Sequence, residues 1–421
     1  MRLQRTSSLR HSRGVPRDQT HTAVKPTPAL LVGYSGLHTV LFPVPIITIF
    51  WKDHIGMSLA DIMNLQAIFA LAAVVFEFPS GYLADRVGHR MSLLVAALLW
   101  IVGWVVYAMG TTFSGMVIAE VLLGAGIAFA SGADAALLFV TLQAAERVSE
   151  YNRWEGRVRA VAQAGESLSS AVGGYLYTLS PRLPFWLQVP VAVGALGTVM
   201  AMGEPARRER RREHVSHLAA AWSIVRHVLL RHARLRAAVA LSVTLGLSTF
   251  VMVWLIQPYM QSRGIPAAWF GPLWALANLH LAAMSLLSAR VVETCGRQMT
   301  LLGCCLLIGL GYGALAASTS AAAVTFYLCF MTTRGLQAPI LVSALQGDAP
   351  PEARASVLSL NALMFRLSFV IIGPPVGILV ERLGMEAAMA VLGVVFCSAA
   401  LACLAAFRRA HAQGEEPVTR S

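Results

Sequence analysis

The 421-residue chain is 57% hydrophobic and only 13% charged, with a mean hydropathy of +0.64. A soluble protein carries roughly 25% charged residues, so this chain has too little polar surface to cover a soluble globule, and a disordered chain is excluded because disorder needs polarity and charge. The formal charge of +12 comes from 33 basic and 21 acidic residues; the basic residues sit between apolar runs, which points to membrane orientation rather than nucleic-acid binding.

Residues 1–27 hold six basic residues and one acid and read as a tail, not a signal peptide, because the run that follows has full spanning length and no small-residue cleavage site. A spanning helix needs about 20 mostly apolar residues. The first run, 28–51, carries Tyr34 and His38; the second, 59–82, carries Glu77; the third, 91–110, carries no ionisable group. The fourth, 114–142, holds Glu120 and Asp134, and the fifth, 158–179, holds Glu166. The sixth is 184–203. Residues 204–236 form a basic linker with the run Arg207-Arg208-Glu209-Arg210-Arg211-Arg212, followed by Trp222, Ile224, Val225, Leu229 and Leu230, which read either as a surface helix on the inner leaflet or as a solvated linker. The seventh run, 237–260, contains Trp254 and ends in Gln257-Pro258-Tyr259, where Pro258 should kink or end the helix. Asn278 and His280 lie in the eighth, 267–289. The ninth is 299–317. Arg334 and Gln337 lie in the tenth, 322–346, and Asn361 and Arg366 in the eleventh, 355–379. The twelfth is 386–407, followed by a tail, 408–421. The runs are too long and lack the alternation that membrane strands require.

With the N-terminus inside, 27 basic residues fall on the inner side and four (Lys52, Arg182, Arg263, Arg382) on the outer side, so both termini are expected in the cytoplasm. The six cysteines show no CxxC spacing, which implies neither disulfides nor a metal.

The linker divides the chain into a six-helix half, 28–203, and a second half, 237–407. The halves share a repeat at an offset of 208: Gly56 matches Gly264, Asp85 matches Glu293, Gly88 matches Gly296 and Met91 matches Met299. The loop Gly81-Tyr82-Leu83-Ala84-Asp85-Arg86-Val87-Gly88-His89-Arg90 resembles the GxLADRxGRR signature that joins the second and third helices of the major facilitator superfamily, and the lead-in Glu77-Phe78-Pro79-Ser80 resembles its drug-exporter branches. The resemblance implies an all-α bundle of twelve transmembrane helices in two pseudo-symmetric halves, in a bacterial inner membrane. It implies that Asp85, flanked by Arg86 and Arg90, faces the start of the eleventh helix near Arg354 and locks the cytoplasmic side. Two features depart from the exporter pattern. Ser169-Ser170 replaces a Gly-Pro pair before Gly173-Gly174, and Glu120 stands where an arginine is usual, four residues before Gly124.

Ionisable groups inside spans are costly and usually functional. Glu120, Asp134 and Glu166 are the expected proton-coupling or cation-binding acids, with Arg334 and Arg366 balancing them. Asp134 and Glu166 are expected as neighbours across a hairpin. Glu120 and Asp134, fourteen residues apart, are expected on one face together with Gly124 and Ser131, lining a cavity. His38 and His280 read as hydrogen-bonded packing groups or proton relays; Asn278, Gln337 and Asn361 read as substrate contacts. Gln257-Pro258-Tyr259 and Gly264 read as an outer gate or an ordinary helix end. Secondary transport of a small molecule is the expected function, with proton-coupled efflux of drug-like or metabolite compounds first. An importer or uniporter of a polar solute stays open, as does a non-transporting sensor or scaffold. No enzyme constellation and no GxxxxGK[ST] loop occurs, and no cofactor is expected. The expected partners are a small-molecule substrate, protons and the lipid bilayer, with no nucleic acid, and the expected state is a monomer.

Overall fold

The computed structural model describes residues 26–205, 232–350 and 353–412, and the helices among them are those of a polytopic bundle with no strand among the described residues. Twelve long helical units follow in order: α1 Thr27–Ile55, α2 Leu59–Arg86, α3 His89–Met109, α4 Phe113–Ala144, α5 Tyr151–Leu179, α6 Leu183–Ala201, α7 Ala233–Ser262, α8 Ala267–Cys295, α9 Arg297–Ala317, α10 Ala321–Asp348, α11 Arg354–Leu383 and α12 Met385–Ala412. Short connections make neighbours antiparallel. Thr27, Ala201, Ala233 and Ala412 therefore share one face of the bundle, here the terminal face, and Ile55, Leu59, Ser262 and Ala267 share the opposite face.

Eleven of the twelve are long and apolar enough to cross a membrane; α5 is the exception. Its terminal-face half carries Arg153, Glu155, Arg157 and Arg159. Its only buried residues are Ser169, Ser170, Gly173 and Gly174, all toward the opposite face. A helix half that is charged and unburied borders water rather than lipid or packed protein. The seven residues that lengthen α5 beyond the expected run, Tyr151 to Arg157, belong to this polar half.

Helices α3, α6, α9 and α12 carry exposed apolar stripes at helical spacing: Leu98, Val102 and Met109; Trp186, Val193 and Met200; Met299, Leu306 and Leu310; Val391, Val394 and Val395. These stripes are lipid faces. The internal repeat has a backbone counterpart. Gly56 and Gly264 both adopt left-handed φ, +76° and +70°, and Gly88 and Gly296 both precede a helix with φ +130° and +80°. A side chain at Gly88 would also collide with the Glu204 carboxylate, its Cβ 2.4 Å from Oε2. That carboxylate accepts from the backbone N–H groups of His89 and Arg90 at 2.8 and 3.0 Å, an anion on the N-terminus of α3. In the α4–α5 connection, Arg147 grips Glu150 with two 2.7 Å bonds that hold its carboxyl below the usual range.

The boundaries expected from sequence hold to within about one turn except for α5, which starts seven residues earlier, and for α8 and α12, which run on six and five residues further, to Cys295 and Ala412. The expected helix of residues 222–230 lies outside the described residues, as does most of the 204–236 linker.

Candidate functional site between the two halves

Pro43 and Pro45 cannot donate to a helix ladder, and Pro45 stands where residue 41 would otherwise receive a bond. Helix α1 therefore breaks after Thr39 into a 3-10 turn at Val44–Ile46 and resumes at Ile47–Phe50. The freed backbone groups find partners on other helices. Leu41 N–H donates to Ser169 Oγ of α5 at 2.9 Å, Phe42 N–H donates to Gln188 Oε1 of α6 at 3.3 Å, and Gln188 Nε2 donates to the Val40 carbonyl at 2.6 Å. The last two freed groups reach across to the other half. Gln257 of α7, only 1% exposed, accepts from Thr48 N–H at 2.9 Å and donates to the Val44 carbonyl at 2.9 Å. Helix α7 runs through Pro258 to Ser262, so Pro258 does not end the helix.

Further contacts close the opposite face. Gly377 of α11 lies against α2 so tightly that a Cβ would stand 2.5 Å from Ala60 Cα, and Ala60 N–H donates to Glu381 Oε1 at 2.8 Å. Gly174 of α5 and Gly271 of α8 abut each other's backbones with equally little room. Gln261 of α7 accepts from Lys52 Nζ at 2.7 Å and donates to Asp53 Oδ2 at 2.6 Å. Near the terminal face, by contrast, the bonds of Thr27, Arg90, Arg234, Arg354 and Arg408 each stay within one half. The opposite-face contacts bond the two halves to each other.

The signature loop is built as follows. Arg90 donates through Nε and Nη2 to the Val199 and Met200 carbonyls, capping the C-terminus of α6 with a cation. Arg86 lies 4.7 Å over the Tyr82 ring. Asp85 is exposed, and a Cβ on Gly81 would meet nothing within 4 Å. The antiparallel register that sets Ala60 against Glu381 and Glu77 against Arg366 would carry Asp85 toward Arg354 at the first turn of α11.

The intramembrane groups depart from expectation in three places. Glu120 and Asp134 do not share a face. Helix α4 breaks at Ser131-Gly132, where Gly132 has φ +75°, so helical phase is not carried across. Glu120, 3% exposed, accepts from Gln66 Nε2 at 3.2 Å and from Tyr107 OH, inside the α2–α3–α4 packing. Gly124 does not line a cavity either; it packs on the Phe69 carbonyl of α2. Asp134 and Glu166 are not hairpin neighbours. Because α5 starts at Tyr151, Glu166 sits fifteen residues in, about 22 Å deep at about 1.5 Å per residue. Asp134 instead feels the charges of Glu155 and Arg159. Arg366 does not balance those acids; its Nη1 donates to Glu77 Oε2 of the other half at 2.8 Å.

The remaining candidates are placed as follows. Arg334 of α10 acts electrostatically on Glu166 of α5, and neither side chain bonds to another described residue. His38 stacks on Trp100 with centroids 4.1 Å apart and planes 5° apart, and His280 Nε2 meets Thr332 Oγ1 at 2.7 Å. Gln337 is 7% exposed with Oε1 unpartnered, and the buried Asn361 Oδ1 is also unpartnered. Asn278 is half-buried on α8. Trp254 faces Trp51 of the other half at 5.9 Å and joins a ring cluster with Phe250, Phe365 and Phe369. Tyr34 is buried against His38. Residues missed from sequence are Gln66, Gln188 and Glu204. Lone glutamines inside apolar runs were the available signal for two of them.

Comparison with known proteins agrees with this architecture. The chain is 24% identical over 159 residues to the quinolone resistance protein NorA of Staphylococcus aureus, a stretch covering 38% of this chain and 39% of NorA. It is 27% identical over 143 residues to the lactose permease of Klebsiella oxytoca, covering 32% and 33% of the two chains. These matches span about two fifths or less of either relative. Among solved structures, the nucleoside transporter NupG superposes with a TM-score of 0.76 over 91% of this chain and 99% of its own, at 12% identity. A bacterial homologue of the lysosomal transporter Spinster, in an inward-facing unoccupied conformation, superposes with a TM-score of 0.65 over 92% and 95%, at 14% identity. The family model of the Major Facilitator Superfamily matches residues 31–373, most of the chain, and the protein belongs to that superfamily.

Proposed function

We propose that this protein is a secondary transporter that exports drug-like or metabolite compounds from the cytoplasm by alternating access, in exchange for protons. One observation carries the reading. The halves are bonded across the opposite face through Gln257, Glu381 and the Gly174–Gly271 contact, while Glu166 and Arg334, on different halves, bond to no described residue, which fits a gap between them open toward the terminal face. With the terminal face in the cytoplasm, as the 27-to-4 distribution of basic residues supports, this is the state that loads solute from inside.

Glu166 and Asp134 are the acids in reach of the gap. Glu120 is held by Tyr107 and Gln66 within one half and serves as a structural acid. Asp85 acts as the cytoplasmic lock against the first turn of α11. The local relationship to NorA, a quinolone resistance protein by name, favours efflux.

A second reading, uptake or uniport of a polar solute, is favoured by Ser169. In place of a Gly-Pro pair it holds the α1 break through Leu41 N–H, and the fold neighbour NupG is a nucleoside transporter. Expression in an efflux-deficient bacterial host separates the two. An exporter lowers the cellular accumulation of fluorescent aromatic compounds, and an importer raises the accumulation of labelled nucleosides. Unchanged accumulation of both would overturn both readings.

A further inference from the structure

We propose that the gap is built for zwitterionic aromatic solutes, with Glu166 receiving the cationic group, Arg334 the anionic group, and the Trp254 cluster the ring. The proposal deepens the transport reading and rests on it. Glu166 stands thirteen residues before Leu179, the opposite-face end of α5, and Arg334 stands thirteen residues after Ala321, the opposite-face start of α10. The two charges therefore lie at one depth on helices of different halves, each about 20 Å from the closed face at about 1.5 Å per residue.

The charge of Arg334 reaches Glu166, yet no ion pair joins them within 4 Å, and neither side chain has a hydrogen-bond partner among the described residues. Opposite charges that served only to hold the bundle would be in contact, as Glu77 and Arg366 are at 2.8 Å. A separated pair leaves both charges to be compensated by whatever enters between them. A solute with one charge compensates one and strands the other, and a solute with both signs compensates both.

Two further observations point to a ligand. Gln337 follows Arg334 by one turn of α10, is 7% exposed, and its Oε1 has no partner; Asn361 Oδ1 on α11 is buried and equally bare. Unsatisfied buried acceptors are costly and await N–H or O–H donors such as an ammonium group. Toward the closed face, Trp254 lies eight residues before Ser262, and so about 12 Å from the end of α7. Its ring meets that of Phe250, which in turn meets Phe365, all three half-buried, and the indole Nε1 is also buried without a partner. Aromatic faces meeting across the gap accept a flat ring.

Four indoles of matched size and different charge test this: tryptophan (zwitterion), tryptamine (cation), indole-3-propionate (anion) and 3-methylindole (neutral). Their binding to the purified full-length chain in detergent is measured at neutral pH by equilibrium dialysis, corrected against empty micelles. Tryptophan is expected to bind at least about tenfold tighter than any of the other three. Glu166→Gln should abolish its advantage over indole-3-propionate and keep that over tryptamine; Arg334→Gln should do the reverse. Trp254→Leu should weaken all four. The double exchange Glu166→Arg with Arg334→Glu should retain the zwitterion preference, which a loss of folding would not. Equal binding of tryptophan and the singly charged analogues, no binding of any of the four, or an order unmoved by both single variants overturns the proposal. Counterflow in proteoliposomes separates the two levels. Indole binding in this order without counterflow overturns the transport reading and leaves the site standing; counterflow of other compounds without this order does the opposite.

Discussion

Replacing Gln257 by alanine removes one side chain and exposes the logic of the outer gate. Gln257 satisfies a buried N–H of Thr48 and a buried carbonyl of Val44, both at 2.9 Å, and those groups are orphaned because Pro43 and Pro45 interrupt α1. A buried backbone group left bare costs about 1–3 kcal/mol. Two such groups raise the energy of the outward-closed state by at least about 2 kcal/mol, or about 30-fold in its population. In the outward-open state water reaches both groups, so the cost falls on one conformation only. Alternative conformations of a transporter differ by a few kcal/mol, and a change of this size moves a minor state into view. Spin labels at His54 and Ser262, both exposed on the opposite face, would report it by electron–electron distance measurement in a variant whose six cysteines are replaced. Gln257→Ala should add or enlarge a long-distance component. A distance distribution that superimposes on that of the parent would refute the gating role, and with it the view that the α1 break is held shut from α7.

Gly377→Val should abolish transport while leaving the protein folded by gel filtration, because its Cβ would stand 2.5 Å from Ala60 Cα only when the opposite face is closed; normal flux would contradict the close approach. The Glu77–Arg366 pair is 41% and 23% exposed, so solvent screening limits it to about 1 kcal/mol or less. A double-mutant cycle in thermal stability with Glu77→Gln and Arg366→Gln should give coupling within that bound, and a coupling of several kcal/mol would mean a desolvated pair. Arg90→Gln loses two bonds to the end of α6 and should cost about 1–3 kcal/mol of stability, read as a lower thermal midpoint; an unchanged midpoint would leave Arg90 free for Asp85 alone. His38→Phe keeps the stack on Trp100 and should preserve proton coupling, whereas loss of coupling would make His38 a relay.

Much of the fold was legible because a bilayer admits few solutions. Length and hydropathy mark the spans, and the offset of 208 marks the repeat, whose glycines recur with matching positive φ. The ends of α5 were not legible, since a helix that borders water on one flank loses the apolar signal by which spans are found. The site was legible in its ingredients but not in its pairings. Phase arithmetic placed Glu120 and Asp134 on one helix face, and one glycine at 132 with φ +75° removed the premise. Arg366 finds Glu77 at a separation of 289 residues, and Gln257 finds the α1 break at separations of 209 and 213. Pairings over such distances follow from how the halves dock, which no local pattern encodes. The proline pair at 43 and 45 marks a helix break, but nothing local to it points to Gln188 or Gln257 as the side chains that serve it.

In an exchanger of this kind, solute and proton cross together. Purified protein in proteoliposomes, with a pH-sensitive dye trapped inside, should show proton movement that begins only when a transported aromatic compound is added and that is lost in Glu166→Gln. Compound crossing with no proton signal, or a proton signal identical in Glu166→Gln, would contradict it.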